Sequence, residues 1–145
     1  MSLYDKMGRR DIVRTEMMRQ EIRLQNEEQS LVERWKAYED RWKLLLTSNN
    51  PLSFHDIPWP TQNALFDVHD LTLAAISDFL LASLRVRNNT VTKKERIRVS
   101  LLRWHPDKIS SVWARVIKSD KEAVREGIGA VFTCLKTLQD EEKAS

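Results

Sequence analysis

The residues best placed to do chemistry are His105 and Asp107, an imidazole and a carboxylate separated by Pro106. Such a pair works as a general acid and base when a pocket and a third, orienting group surround it. Nothing in the sequence identifies either. The plain alternative is that both side chains bond backbone groups at a helix end. His55-Asp56 and His69-Asp70 repeat the same residue types. Neither has a cysteine or a second ligand on a helix face, so capping or surface roles suit them better than metal binding. The one cysteine, Cys134, is tied to no His–Asp arrangement and reads as a small core or boundary residue. The sequence points away from an enzyme and calls for no metal and no cofactor.

The elements that must position His105 and Asp107 are helical. Residues 93–102 are rich in basic and apolar types, and Thr92 with Glu95 matches a capping box at their start. Ile97, Leu101 and Trp104 recur at i, i+4 and i+7 on one face, while Lys94, Arg98 and Arg103 project from elsewhere. Pro106 has no N–H and pushes His105 out of the α region, so this helix must stop at Trp104 or His105. His105-Pro106-Asp107 is then expected in a loop, with Asp107 as a turn or cap residue. Residues 109–118 read as an extra short helix, apolar at Val112, Trp113, Val116 and Ile117. Ser119 and Glu122 match a second capping box. The last helix carries a stripe at Val124, Ile128, Val131, Leu135 and Leu138. Gly127 and Gly129 interrupt it at about 1 kcal/mol each, which points to close helix contact there. Upstream, Asp70 or Thr72 caps a helix to about Leu84, with Leu73, Ile76, Phe79, Leu80 and Leu84 apolar. A loop with Asn88-Asn89 follows at residues 85–91.

Residues 1–46 hold no proline and one glycine, Gly8, and read as a single long helix. Apolar residues recur every seven positions at Met17, Leu24, Leu31, Tyr38 and Leu45. A second row is filled late, by Trp35 and Trp42, and holds Glu21 and Glu28 before them. The stripe is therefore narrow early and wide late. Dense mixed charge from Arg9 to Gln29 reads as a solvated face, with a coiled-coil partner or an RNA contact as alternatives. The late aromatics should dock on the chain's own core. Residues 47–69 leave the helix through turn chemistry and continue as Leu52-Ser53-Phe54-His55-Asp56-Ile57-Pro58-Trp59-Pro60. That run reads as an extended strap across a helical core, its two prolines holding Ile57 and Trp59 near polyproline II.

Composition agrees with this layout. With 3 glycines and 4 prolines in 145 residues, tight turns are few and long helices are favoured. A net charge of +3 is too mild to argue for nucleic acid by itself. The apolar runs are too short to span a bilayer, and the first ten residues lack a secretory apolar core. A lone cysteine permits no intrachain disulfide, so a reducing intracellular compartment, nucleus or cytoplasm, is expected.

His105-Pro106-Asp107 after a basic helix, with Trp104 where tyrosine is usual, resembles the J-domain family of Hsp70 co-chaperones. The likeness implies that Lys94, Arg98, Arg103, His105, Pro106, Asp107 and Lys108 form a surface toward an Hsp70 ATPase. In that family, basic helix residues meet an acidic Hsp70 face and the tripeptide reaches the joint controlling ATP hydrolysis. Val99 stands at a commonly basic family site and Ser100 at a usual core leucine. Three separated blocks carry a second resemblance over about residues 31–140. They are Arg34-Trp35 with Tyr38-Glu39 and Arg41-Trp42, then Phe54 to Pro60, then Arg103 to Lys108. This arrangement is similar to the C-terminal part of the NF-kappa-B inhibitor-like proteins. Animal members carry ankyrin repeats upstream; the present residues hold none, and small fungal members fit better. The expected fold is all-α: a long helix at 1–46, a Pro/Trp strap at 47–69, and a J-domain-like helical module at 70–145. The expected role is non-enzymatic interaction or regulation, contacting Hsp70 and recruiting an unidentified protein through the N-terminal helix. Active stimulation of Hsp70 and an RNA-associated nuclear adaptor are the alternatives.

Overall fold

The computed structural model describes residues 2–144, with side chains from residue 10 onward. Among the described residues the fold is all-α. It comprises α1 (Ser2–Thr47), α2 (Leu73–Ala82), α3 (Lys93–Arg103), α4 (Pro106–Trp113) and α5 (Lys121–Ala144). None of these helices is long and apolar enough to cross a membrane. At about 1.5 Å per residue, α1 is close to 70 Å long.

Its two heptad rows explain how α1 docks. Tyr38, Trp42 and Leu45 are buried and Trp35 is partly buried against the core. Earlier in the same rows, Glu28 and Glu21 meet Arg87, whose backbone N–H and Nε donate to Glu28 at 2.6 and 2.9 Å. Arg87 Nη1 donates to Glu21 at 3.0 Å. From Glu21 to Leu45 one face of α1 therefore points to the module, apolar where it meets the core and acidic where it meets Arg87.

The strap lies over the core as the alternation predicts, with Leu52, Phe54, Ile57, Trp59, Pro58 and Pro60 all buried. It is less extended than expected. Phe54–Asp56 closes a 3-10 turn, because the Asp56 carboxylate accepts from Ser53 N and Ser53 Oγ at 2.8 and 3.1 Å. Such local side-chain bonds outcompete an extended backbone. Ile57, before Pro58, stays extended at φ −78° and ψ 129°. Leu52 N donates to Arg115 O and Leu52 O accepts from Ile117 N, at 2.9 and 2.8 Å, which fixes the strap's entry. Phe54 N donates to Asp120 at 2.8 Å. Asp120, placed within the second capping box by sequence, instead anchors the strap.

Gly127 and Gly129 separate here. A Cβ on Gly127 would sit 2.5 Å from Trp59 Cη2, whereas one on Gly129 meets nothing within 4 Å. The close contact is with the strap's indole and not with another helix. We expect Gly127→Ala to lose about 1–3 kcal/mol through overpacking. Gly129→Ala should gain about 0.5–1 kcal/mol through helix propensity. Urea midpoints read both; shifts of the same sign would contradict the Trp59 contact.

Candidate interaction site

Helix α3 begins where Thr92 Oγ accepts from Glu95 N at 3.1 Å and ends at Trp104, whose N–H reaches Ser100 O at 3.1 Å. It packs most extensively against α5. Ile97, Leu101 and Trp104 are all buried, as their spacing predicts. Trp104 is fully buried between two other indoles: Trp59 stacks on it at 5.5 Å and Trp42 meets it edge-on at 5.2 Å. It joins α1, the strap and α3 at one point.

His105-Pro106-Asp107 is not a loop. His105 is the N-cap of α4, extended at φ −63° and ψ 137°, and Pro106 is already helical. The expected short helix at residues 109–118 starts three residues sooner and ends at Trp113. Proline is favoured at a first helical position, where its missing N–H costs nothing and its φ is preset. His105 completes the cap, since its Nδ1 accepts from Asp107 N at 3.2 Å. That bond requires Nδ1 to be unprotonated. The Asp107 carboxylate is 91% exposed and its nearer oxygen lies 3.8 Å from Nδ1. Trp104 and Ile109 are buried on either side, so His105, Pro106, Asp107 and Lys108 form an exposed corner between two core anchors.

The basic residues of α3 fall on two flanks. Arg96 and Arg103 face α1. Arg96 lies 3.8 Å above the Trp35 ring and donates to Leu80 O and Ser83 Oγ, both at 3.0 Å. Arg103 grips the Glu39 carboxylate with two bonds of 2.9 and 2.8 Å, beside the rings of Tyr38 and Trp42. It is mostly covered and committed within the chain. Lys94 and Arg98 are exposed on the other flank, where they line an open groove of about 350 Å³ with Ile97 of α3 and with Gln139, Glu142 and Lys143 of α5. Lys94 and His105 stand about 16 Å apart along the helix axis. Of the seven candidate residues, the fold thus presents Lys94 and Arg98 as one cluster and His105, Pro106, Asp107 and Lys108 as another. Arg103 stands apart from both.

Lys143 joins the basic groove without any sequence signal, because α5 brings it there from the far end of the chain. Arg115 was also silent in sequence. It caps the end of α1 by donating to Leu45 O at 2.7 Å and to Asn50 O at 3.1 and 3.2 Å.

The other chemical candidates have structural roles. The Asp67 carboxylate caps the turn at Val68–Asp70 by accepting from His69 N at 2.7 Å. Asp70 accepts from Phe66 N at 2.8 Å. Among the described residues, no cluster of three His, Cys, Asp or Glu could hold a metal ion. Burial pushes the Cys134 thiol above its ordinary pKa, which disfavours a reactive thiolate. No protein-family model, curated protein or solved structure matches the chain.

Proposed function

We propose that this chain is a non-enzymatic, J-domain-like interaction protein. It engages an Hsp70-type ATPase through Lys94, Arg98 and the His105-Pro106-Asp107-Lys108 corner, in the manner of the NF-kappa-B inhibitor-like proteins it resembles. The observation that supports this reading is the exposure of all four corner residues between the buried Trp104 and Ile109. The cap of α4 uses Nδ1 of His105 and the backbone of Asp107, so the Asp107 carboxylate faces outward, while the imidazole meets the Phe132 ring at 6.2 Å and is half-exposed. The helix that leads to the corner carries three exposed cations, Lys93, Lys94 and Arg98, suited to an acidic partner surface. The compartment is intracellular, in nucleus or cytoplasm.

Binding to a purified Hsp70 and its steady-state ATP turnover test the proposal together. Asp107→Asn removes one exposed charge and no core contact, so folding should be unchanged while binding weakens at least about tenfold, or 1.4 kcal/mol. Lys94→Glu with Arg98→Glu should weaken it further and remove most of its salt dependence. Equal binding by wild type and Asp107→Asn would sink the idea. Binding with stimulated turnover marks an active co-chaperone, and binding alone marks an adaptor. Tight RNA binding with a steep salt slope, and none to Hsp70, would replace this reading with the RNA-associated one.

A further inference from the structure

Thr90 is the one hydroxyl-bearing residue of the chain with an arginine three positions before it, Arg87, and a second arginine, Arg85, stands five positions before it. The run Arg85-Val86-Arg87-Asn88-Asn89-Thr90 joins the 3-10 turn Ser83–Arg85 to the start of α3. Val86 is its buried anchor, while Arg85, Arg87, Asn88 and Thr90 are exposed. Asn89 brackets Thr90 from both sides. Its Nδ2 donates to Val91 O at 2.7 Å and its Oδ1 accepts from Val91 N at 3.1 Å, which leaves residue 90 at the tip of a short arch. The nearby Thr92 hydroxyl is spent on the α3 cap, whereas that of Thr90 has no partner among the described residues.

We propose that Thr90 is a phosphorylation site for an arginine-directed protein kinase, and that phosphate there loosens α1 where Arg87 holds it. The Thr90 hydroxyl oxygen attacks the γ-phosphorus of ATP. An O–P bond forms as the bond from that phosphorus to the β–γ bridging oxygen breaks, ADP leaves, and the hydroxyl proton passes to the kinase's carboxylate base. Charge pattern selects kinase substrates, and carboxylates of the kinase suit arginines at these two positions. Arg85 meets Asp78 at 3.5 Å across open surface. Arg87 holds Glu21 at 3.0 Å and Glu28 at 2.7 Å, with its own side chain 53% exposed. Surface ion pairs are weak, so a kinase can take over both arginines as the segment opens. The consequence follows from Arg87, which ties this loop to α1 ahead of the core. Three residues of chain keep the Thr90 and Arg87 Cα atoms within about 11 Å. A phosphate adds about −1.5 to −2 charge. It repels Glu21 and Glu28 and competes with them for the Arg87 guanidinium, which grips phosphate in the same two-pronged way. Both effects weaken the hold on α1. The His105-Pro106-Asp107 corner takes no part, so the site stands independently of any Hsp70 contact.

Incubating the full chain with Mg-ATP and a purified arginine-directed serine/threonine kinase, with mass spectrometry of the phosphopeptides, tests the site. Phosphate on Thr90 is expected, and Thr90→Val should remove it. Arg87→Ala should lower kcat/KM about tenfold or more. Glu21→Gln with Glu28→Gln frees Arg87 and should raise kcat/KM about threefold. Thr90 and Arg87 are exposed, so circular dichroism of their variants should be unchanged. Hydrogen exchange of the phosphorylated chain tests the release: α1 amides from Glu21 to Glu28 should exchange about fivefold faster. Arg87→Ala should reach the same rates without phosphate and change no further once phosphorylated. No phosphate on Thr90, or a kcat/KM indifferent to Arg87, overturns the site. Exchange unchanged by phosphate overturns the release.

Discussion

Replacing Trp104 with alanine should remove about 4 kcal/mol of stability, read as a fall in the urea midpoint at unchanged slope. Trp104 has no exposed surface, and its ring contacts Trp42 at 5.2 Å and Trp59 at 5.5 Å. Truncation loses the transfer energy of a large aromatic, leaves a cavity, and removes one ring partner each from Trp42 and Trp59. A natural domain holds about 5–15 kcal/mol in total, so this single change should leave the protein near the edge of folding. Trp104→Phe keeps most of the volume and should cost under half as much. A loss below about 1.5 kcal/mol for the alanine variant would mean that α1 and the strap do not depend on this residue for docking.

Removing the Glu39 carboxylate should cost about 2 kcal/mol, and most of that should disappear when Arg103 is removed as well. The pair is two-pronged, at 2.9 and 2.8 Å, with side chains only 29 and 21% exposed. Without Glu39 a guanidinium is left against the Tyr38 and Trp42 rings with its charge uncompensated. A cycle of Glu39→Ala, Arg103→Ala and the double variant should therefore show a coupling of about 1–2 kcal/mol. A value near zero would class the contact with ordinary surface pairs. The pH dependence has a definite sign. Hydrogen bonds from Arg103 hold the Glu39 carboxyl below the usual glutamate range. Its contribution is fully present above the unfolded-state value and fades as pH falls through the lower, folded-state value. The stability gap between wild type and Glu39→Gln should narrow on acidification below about pH 4.3. While the pair holds, the Arg103 guanidinium is committed to Glu39.

The sequence by itself determined the local parts of this protein. Helix α1 was legible because nothing interrupts residues 9–50, and its late stripe of Tyr38, Trp42 and Leu45 is the part that is buried. Thr92 and Thr72 cap their helices as hydroxyls before amphipathic runs should. The α5 stripe and the Ile97, Leu101 and Trp104 face follow from helical period alone. Boundaries read less well where the deciding bond is uncommon. An imidazole cap with proline at the first position moved the start of α4 back to Pro106, and the Ser53–Asp56 bonds curled a strap that reads as extended. Only the tertiary structure decided the rest. Arg103 with Glu39, Arg87 with Glu21 and Glu28, Arg115 with Leu45, and Phe54 with Asp120 join groups 59 to 70 residues apart. No periodicity or cap signals such pairs, because each is chosen by which faces the packing of α1 and the strap brings together. The same packing turned Arg103 inward, left Lys94 and Arg98 outward on one helix, and assigned Gly127 to an indole while leaving Gly129 in open space.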